Sequence, residues 1–264
     1  MIYTPAVVSR RVLPQKILPF TRKYSAQHVN GGDTRRDLRE LLRETAQSVA
    51  VVTSLMPSSA SEPKSRQNSE QSDNGSKNTA FHGATLSSFT SIALDPHPLV
   101  AFSLRVPSRM AAALNAYAQS MASSNSLLSS HMVINILSAS QPHVAHIFSR
   151  PDLHPRPFED AATGVKWIPS IDGLPIIDGA LGALSCSVIG RSIPLDSAFA
   201  CPQSVKGDDE VEGSGLGSEL FIARVLRVEK APELTGIEEE DDMRTLPLLY
   251  HRRRYGTIQD LSRQ

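Results

Sequence analysis

The sequence predicts a mostly β domain whose strands form a barrel, with a few short helices at its periphery. Two observations predict this class: short runs rich in β-branched residues recur along the chain, and the helical patterns between them are few and brief. Many strands with few intervening helices favour a barrel over a doubly wound sheet. With 264 residues, the chain can bury a sizeable core in one or two domains.

The composition argues against several classes of protein. Lys plus Arg and Asp plus Glu each number 27, so the net charge is zero. The usual electrostatic basis for binding nucleic acid or an anionic membrane is therefore missing. No apolar run approaches the ~20 residues that span a bilayer. Two cysteines cannot build the disulfide framework of a small secreted protein.

The first 32 residues differ from the rest in charge, because they contain five basic residues and no acidic one. This composition is typical of a mitochondrial transit peptide, and Arg22-Lys23-Tyr24-Ser25 resembles a matrix-protease cleavage site. We therefore expect a presequence over residues 1–32 and a location in the mitochondrial matrix. A disordered basic tail is the alternative. The folded domain would then cover residues 33–264.

The elements of that domain follow in order. Asp33 or Thr34 caps a first helix, with Asp37 at a capping-box position. Ser108 caps a second helix, and Ser140 with Pro142 begins a third. Two polar or glycine-rich segments are expected to be disordered surface loops, at residues 57–80 and 196–218. Strands are predicted at residues 48–53, 84–92, 99–104, 132–137, 184–189 and 220–228.

Metal chemistry has little support in this sequence. His143 and His146 are three residues apart on a predicted helix, but no carboxylate or cysteine lies at ligand spacing from them. We therefore expect surface or core histidines here and no metal site.

Four blocks of sequence carry a family resemblance. They lie at residues 83–103, 133–141, 178–188 and 247–256. In this order and spacing they resemble the flavin-reductase-like family, and they span residues 40–258, which is nearly all of the predicted domain. The resemblance implies an FMN-binding split barrel with Greek-key connections, which works as a homodimer with flavin sites near the subunit interface.

The first block supplies candidates for the flavin ring. Hydroxyls and backbone N–H groups on a strand can bond the isoalloxazine edge without adding charge, and the resemblance assigns this role to Thr85, Leu86, Ser87, Ser88 and Phe89. Asn135 lies within an apolar strand, where its amide needs partners. Either the flavin ring or the backbone would supply them.

A second group of candidates would bind the flavin phosphate. Ser103, Arg105, Ser108 and Arg109 lie just before and at the start of the second helix. Helix N-termini favour anions, and arginine guanidinium groups match phosphate geometry. In the alternative interpretation Ser108 is only an N-cap and the arginines are only solvated.

The fourth block concentrates aromatic and cationic residues near the C-terminus. The resemblance places this block near the flavin and the nicotinamide, so we expect Tyr255 to contact the cofactor. His251 is the catalytic candidate, because it would orient one of the rings or screen the charge of reduced flavin. Arg252 and Arg253 either meet the phosphates of a dinucleotide or form a solvated face.

One departure from the family concerns the step that uses the nicotinamide. Many members carry Gly-Asp-His immediately before the strand that corresponds to residues 220–223, with the histidine near the site of hydride transfer. This chain has Gly217, Ser218 and Glu219 there. The departure leaves flavin binding largely untouched, but it argues against fast nicotinamide oxidation.

The predicted function is an FMN-dependent NAD(P)H oxidoreductase in which hydride passes from nicotinamide C4 to flavin N5. The flavin carries the chemistry and the protein aligns the two rings. Expected partners are flavin, NAD(P)H, a second copy of the chain and, by family resemblance, a partner oxygenase. Two alternatives remain open: a mitochondrial flavin-binding or assembly factor without turnover, and a flavin-free interaction protein.

Overall fold

The computed structural model of the chain describes residues 31–56, 80–121, 129–195, 217–230 and 242–258. Its helices are α1 (Gly31–Arg43), α2 (Arg109–Met121), α3 (Pro142–Ser149) and α4 (Asp242–Thr245), with a 3-10 turn at Ala161–Thr163. Its strands are β1 (Gln47–Ser48), β2 (Ala50–Leu55), β3 (Phe81–Leu86), β4 (Thr90–Ala93), β5 (Leu99–Val106), β6 (Met132–Ile136), β7 (Trp167–Pro169), β8 (Pro175–Ile177), β9 (Gly182–Val188), β10 (Ile193–Pro194), β11 (Gly217–Lys230), β12 (Leu249–His251) and β13 (Arg254–Gly256).

Three sequence predictions fall largely outside the described residues. These are the presequence over residues 1–32 and the two loops, over 57–80 and 196–218. Only their last residues are described: α1 begins at Gly31, two residues before the predicted cap, and β11 begins at Gly217, inside the second predicted loop.

The chain divides into two units, one ending at Leu42 and the other beginning at Arg43. The first contains nearly all of α1. Every described strand and the other described helices belong to the second. None of the described helices is both long and apolar enough to cross a membrane.

One antiparallel sheet of eight strands forms the body of the second unit. Its strands run in the order β3-β2-β6-β9-β11-β5-β4, and β10 pairs with β11. Each predicted strand run lies wholly or mainly in this sheet, so the prediction of a mostly β fold is confirmed. Two smaller sheets, β1-β12-β13 and β7-β8, use strands of two or three residues that sequence patterns did not predict.

The edges of the large sheet determine where the candidate site lies. The edge strands β3 and β4 are consecutive in sequence, and only residues 87–89 separate them. The chain thus passes from one edge of the sheet to the other in three residues, which requires the sheet to curl until its edges approach. The strand predicted over residues 84–92 is therefore two strands. We call the crossing at residues 87–89 the seam.

The curled sheet buries one core inside and another outside. The inner core includes Phe102 of β5 stacked on Phe221 of β11, with ring centroids 5.6 Å apart. The outer core lies against α3 and includes Val51 and Phe148. Strand β2 contributes to both cores, because Val52 faces inward and Val51 faces α3. This explains the continuous apolar run of that strand.

An aromatic cluster around Trp167 and a buried cysteine add to the packing of this unit. Trp167 makes edge contacts with Phe81 and Phe158, at centroid distances of 5.2 and 6.1 Å. Cys186 of β9 is fully buried in the inner core, and burial raises the pKa of its thiol to about 12. A thiol in this environment is an inert packing group.

Candidate functional site

A cavity of about 800 Å³ opens beside the seam. Six parts of the fold contribute to its walls: β3 with the seam, β5, the start of α2, the end of α3, the start of β11 and the β12–β13 hairpin. Sites for small molecules and cofactors have volumes of about 300–1,000 Å³, so the cavity is large enough for a nucleotide cofactor.

Eight of the twelve sequence-predicted site residues line this cavity. They come from regions up to 170 positions apart in sequence, and the fold brings them together. The eight residues are Thr85, Leu86, Ser87, Ser88, Ser103, Arg105, Ser108 and Tyr255.

Hydroxyl groups from the seam and β5 form one wall. The Ser88 hydroxyl accepts the Ser103 backbone N–H at 2.8 Å and lies 3.0 Å from the Ser103 hydroxyl. These bonds hold the seam against β5. Thr85 donates its hydroxyl to the Ala145 carbonyl of α3 at 2.7 Å. The wall is therefore polar, uncharged and fixed by bonds within the protein.

The start of α2 forms a second wall. Ser108 is its N-cap, because its hydroxyl accepts the backbone N–H of Ala111 at 3.1 Å. Ser108 is thus an N-cap, as the alternative interpretation expects, but it also lines the cavity. The N-terminus of α2 thus lies at the cavity wall, where its partial positive charge favours an anion.

Three arginines give the cavity its charge. Arg105, Arg150 and Arg253 all line it, and none of their guanidinium groups has an ion-pair or hydrogen-bond partner among the described residues. No Asp or Glu is among the described residues that line the cavity. The site is therefore built for an anionic ligand.

Arg252 and Arg253 form the tight turn of the β12–β13 hairpin. His251 pairs with Arg254 across the hairpin, so the two arginines are the central turn residues, and their φ angles are +49° and +64°. Positive φ at both central positions is the pattern of a type I′ turn, which Asn and Gly normally supply. Arginine adopts this conformation with strain.

The two turn arginines have different surroundings. Arg252 donates its Nε–H to the Glu44 carboxylate at 2.9 Å and its Nη2–H to the same oxygen, and its backbone N–H donates to the Arg43 carbonyl at 3.1 Å. The hydrogen bond from Arg252 holds the pKa of Glu44 below its usual value. Arg253 instead lines the cavity.

An aromatic group closes the hairpin side of the cavity. Tyr250 and Tyr255 face each other across the hairpin, with ring centroids 5.4 Å apart. Burial raises the pKa of Tyr255, with a smaller contribution from Tyr250, so the Tyr255 phenol is neutral at physiological pH. On the opposite side, Phe148 of α3 lines the cavity, and it fits only because Gly83 has no side chain: a Cβ there would lie 2.5 Å from the ring.

Comparison with known proteins identifies the family of the chain. The family model of the flavin reductase like domain matches residues 42–259. The chain belongs to this family. As a flavin reductase like protein it is a flavin-dependent oxidoreductase, and the resemblance found in the four sequence blocks is confirmed.

Solved structures of the same fold agree with this family. One is a homologue of nitrilotriacetate monooxygenase component B from Mycobacterium thermoresistibile, which is 22% identical, has a TM-score of 0.52, and is matched over 86% of this chain and 88% of its own. Another is the NADH:FAD oxidoreductase SgcE6 of Streptomyces globisporus in complex with NAD and FAD fragments, at 21% identity and TM-score 0.53, over 90% and 99% of the two chains. No curated protein sequence matches this chain.

Four predicted site residues of this flavin reductase like protein do not line the cavity. Phe89 packs against the inner core. Arg109 is exposed and donates to the Pro151 carbonyl at 3.5 Å, so it contacts a residue of the cavity wall. His251, the catalytic candidate, is an exposed residue of β12.

Asn135 is the fourth of these residues, and its amide is bonded within the protein. Its side-chain N–H groups donate to the Val51 carbonyl and the Thr53 hydroxyl, at 3.2 and 3.3 Å. Its carbonyl oxygen accepts the Ile177 backbone N–H at 2.8 Å. Because the side chain is completely buried, the structure supports the alternative in which the protein supplies its partners.

Glu219, which stands where many family members have the histidine of Gly-Asp-His, is held in a hydrogen-bonded network. Its carboxylate accepts from Asn115 Nδ2 and from the Ser192 hydroxyl, both at 2.8 Å. The preceding Ser218 lines the cavity. Glu219 therefore links β11 to α2 and the segment before β10, and its side chain is not among those that line the cavity.

The end of α3 contributes to the site and was not predicted. His146, Ser149, Arg150 and Pro151 all line the cavity. His146 lies in the last turn of α3, and Arg150 follows the helix as its C-cap with a non-helical backbone. Nothing in the sequence places this segment beside residues 103–108.

Proposed function

We propose that the cavity binds FMN and that the protein is an NAD(P)H-dependent flavin reductase. The observation that supports this most strongly is the guanidinium of Arg105, which has no partner among the described residues and lies near the N-terminus of α2 in a cavity lined by no described carboxylate. A phosphate dianion is the flavin group that this arrangement would stabilise.

The remaining walls suit the rest of a flavin. The phosphate would lie at Arg105, where the Ser103 and Ser108 hydroxyls and the N-terminus of α2 converge on the cavity. The hydroxyls and backbone N–H groups of residues 85–88 would bond the polar edge of the ring system. The tyrosine pair of the hairpin would bound the space beside it.

The chemistry would come mainly from the cofactor, since a bound flavin supplies the hydride acceptor. The residues of this chain would bind and orient. Fixed hydroxyls at the seam would set the position of the flavin edge, and the hairpin would limit where a second ring can stack. Holding two reactants in alignment lowers the activation barrier substantially. A hydride transfer requires no catalytic acid or base from the protein.

The identity of both nucleotides is part of the proposal. SgcE6 is described as an NADH:FAD oxidoreductase, and its structure contains NAD and FAD fragments, which supports a nicotinamide co-substrate for this chain. We favour FMN over FAD because the N-terminus of α2, the two hydroxyls and Arg105 form a site for one terminal phosphate.

Two measurements test this function. Purified protein, titrated with FMN, should acquire the visible absorbance of bound oxidised flavin, and with FMN present it should oxidise NADH or NADPH in the steady state. Titrations with FAD in parallel measure the flavin preference. A protein that stays colourless with excess FMN and excess FAD would contradict flavin binding and favour the flavin-free interaction protein.

A second candidate function is flavin binding without turnover, and Glu219 favours it. The carboxylate is engaged with Asn115 and Ser192, so the site has no histidine at the position where many relatives have one. A flavin-loaded protein that oxidises neither NADH nor NADPH faster than free flavin would support this candidate and end the reductase proposal.

If the protein is a flavin reductase, as proposed first, the reduced flavin would pass to a partner oxygenase. One structural relative is a homologue of a monooxygenase component, which supports this role. If flavin is released in its reduced form, anaerobic gel filtration after NADH addition should separate flavin from protein. Co-elution after reduction would oppose a carrier role for the flavin.

The assembly and the location are also proposals. The family resemblance supports a homodimer, which sedimentation at several concentrations would test, and a monomer at all of them would refute it.

The basic, acid-free first 32 residues support import into the mitochondrial matrix. Isolated mitochondria should import the full chain and shorten it near Tyr24, and an uncleaved, protease-sensitive chain would refute import.

A further inference from the structure

The cavity holds more positive charge than one flavin phosphate would use. Arg105, the N-terminus of α2 and two serine hydroxyls form the phosphate site proposed above. Arg253 lines the same cavity but comes from a separate element, the β12–β13 hairpin, and its guanidinium has no partner among the described residues. The hairpin arginine therefore has a charge to offer to a second anionic group.

The backbone of Arg253 makes a purely structural role an unsatisfactory explanation. Its φ of +64° is a conformation that glycine adopts without strain and that side-chain-bearing residues adopt at a cost. Glycine would serve the turn better. Strained residues cluster at functional sites where the surrounding structure holds them in place, and of the two strained residues in this turn Arg253 lines the cavity.

Its neighbour provides the means of holding it. Arg252 is fixed to Glu44 by two side-chain hydrogen bonds and to the Arg43 carbonyl by its backbone N–H. With Arg252 held and His251 paired with Arg254 on the other side, the conformation of Arg253 is fixed from both directions. The ion pair fixes the turn, and the turn sets the position of the Arg253 side chain.

We infer that Arg253 is a specificity-determining residue that binds a phosphate of the nicotinamide dinucleotide, and that Glu44 and Arg252 are positioning residues for it. This inference rests on the proposed function. The phosphate is either the pyrophosphate that NADH and NADPH share or the additional phosphate of NADPH.

Steady-state kinetics of Arg253→Ala at saturating FMN test the inference, with NADH and NADPH compared. We expect KM to rise about tenfold or more, as for loss of a charged hydrogen bond, while kcat and the dissociation constant of FMN stay unchanged. An equal rise for both substrates assigns Arg253 to the pyrophosphate, and a rise for NADPH alone assigns it to the additional phosphate. Unchanged KM for both substrates, or weaker FMN binding, overturns the inference.

Two matched variants exclude a fold effect. Arg253→Gly removes the side chain and the strain together, so it should raise Tm and still raise KM as alanine does. Arg254→Ala removes the adjacent arginine, which does not line the cavity, and should leave KM unchanged. A glycine variant with wild-type KM, or an Arg254→Ala variant with the same KM defect, would overturn the assignment to Arg253.

The positioning role has its own readout. Glu44→Gln should raise KM in the wild-type background and have no further effect in the Arg253→Ala background, because its influence passes through Arg253. Additive effects of the two substitutions would refute the positioning role. Failure of the proposed function is distinguishable from all these results, since it would appear as a wild-type protein that binds no flavin or shows no turnover.

Discussion

The barrel wall and the seam cavity differ in how far the protein satisfies its own polar groups. In the wall, Asn135 is completely buried and both ends of its amide are bonded to neighbouring strands and loops. In the cavity, Arg105, Arg150 and Arg253 have no described partner. Polar groups that have no described partner within the protein, rather than polar groups in general, therefore indicate the ligand site. Stability and flavin affinity, measured for variants of each region, distinguish the two.

The largest effect is expected in the wall. Asn135→Ala removes the acceptor of the Ile177 N–H and a donor to the Val51 carbonyl, both buried. Because each buried group left unsatisfied costs ~1–3 kcal/mol, the free energy of unfolding should fall by about 3 kcal/mol. Urea unfolding measures this. The FMN dissociation constant of the folded variant should not change, and a weaker FMN complex would place Asn135 back in the flavin site.

The free energy of unfolding should depend on pH through another buried side chain, His82 of β3, which is 4% exposed. Burial, helped by the charge of Arg109, lowers its pKa from 6.5 to about 4. As pH falls, His82 therefore binds a proton near pH 6.5 in the unfolded chain but only near pH 4 in the folded protein. Stability from this group is complete above pH 6.5 and is lost as pH falls toward 4, by about 3 kcal/mol at ~1.4 kcal/mol per pKa unit.

The variant His82→Gln isolates this contribution from the titration of carboxylates. Urea unfolding of both proteins at neutral pH and near pH 4 should show a smaller loss of stability for the variant. An identical loss in both proteins would show that His82 accepts a proton in the folded state as readily as in the unfolded chain.

In the cavity the effect should fall on affinity instead. Arg105→Ala should weaken FMN binding by about 1.5–3 kcal/mol, the range for hydrogen bonds to charged groups, with the free energy of unfolding changed by less than ~0.5 kcal/mol. Arg109→Ala is the matched comparison, because Arg109 contacts the wall at Pro151 without lining the cavity. A larger loss of FMN affinity in the Arg109 variant would reverse the assignment of the phosphate site.

The smallest effect is expected at Ser108, which both stabilises the fold as the N-cap of α2 and lines the cavity. Ser108→Ala should lower the free energy of unfolding by about 1 kcal/mol through the lost N-cap. Ser108→Asp keeps a capping group but places a carboxylate at the cavity, so it should retain stability and lose FMN affinity. If the aspartate variant binds FMN like the wild type, the phosphate does not lie at the start of α2.

Much of the fold could be predicted from the sequence because it depends on local patterns. The apolar runs of β2, β5, β6, β9 and β11 alternate or continue as buried strands require, and Ser108 and Pro142 mark helix starts. The strands of two or three residues, such as β12 and β13, are too short to carry a pattern. The break at residues 87–89 contains neither Gly nor Pro, so only the curl of the whole sheet reveals it.

The site was predictable only in part, for a related reason. Residues 85–88 and 103–108 are contiguous stretches whose chemistry is visible in the sequence and whose family resemblance adds a role. Arg150 and Arg253 become site residues through contacts between distant elements. Asn135 shows the converse, since a polar residue in an apolar strand looks the same whether a ligand or the Ile177 backbone satisfies it.

The most direct test of the central claim compares the dissociation constants of FMN and riboflavin, which differ only in the phosphate, for the wild type and for Arg105→Ala. If the cavity holds the phosphate at the start of α2, the wild type should bind FMN at least about tenfold more tightly than riboflavin. The Arg105→Ala variant should lose most of that preference while binding riboflavin as the wild type does. Equal affinity of the wild type for the two flavins, or a preference that survives in the variant, would contradict the account.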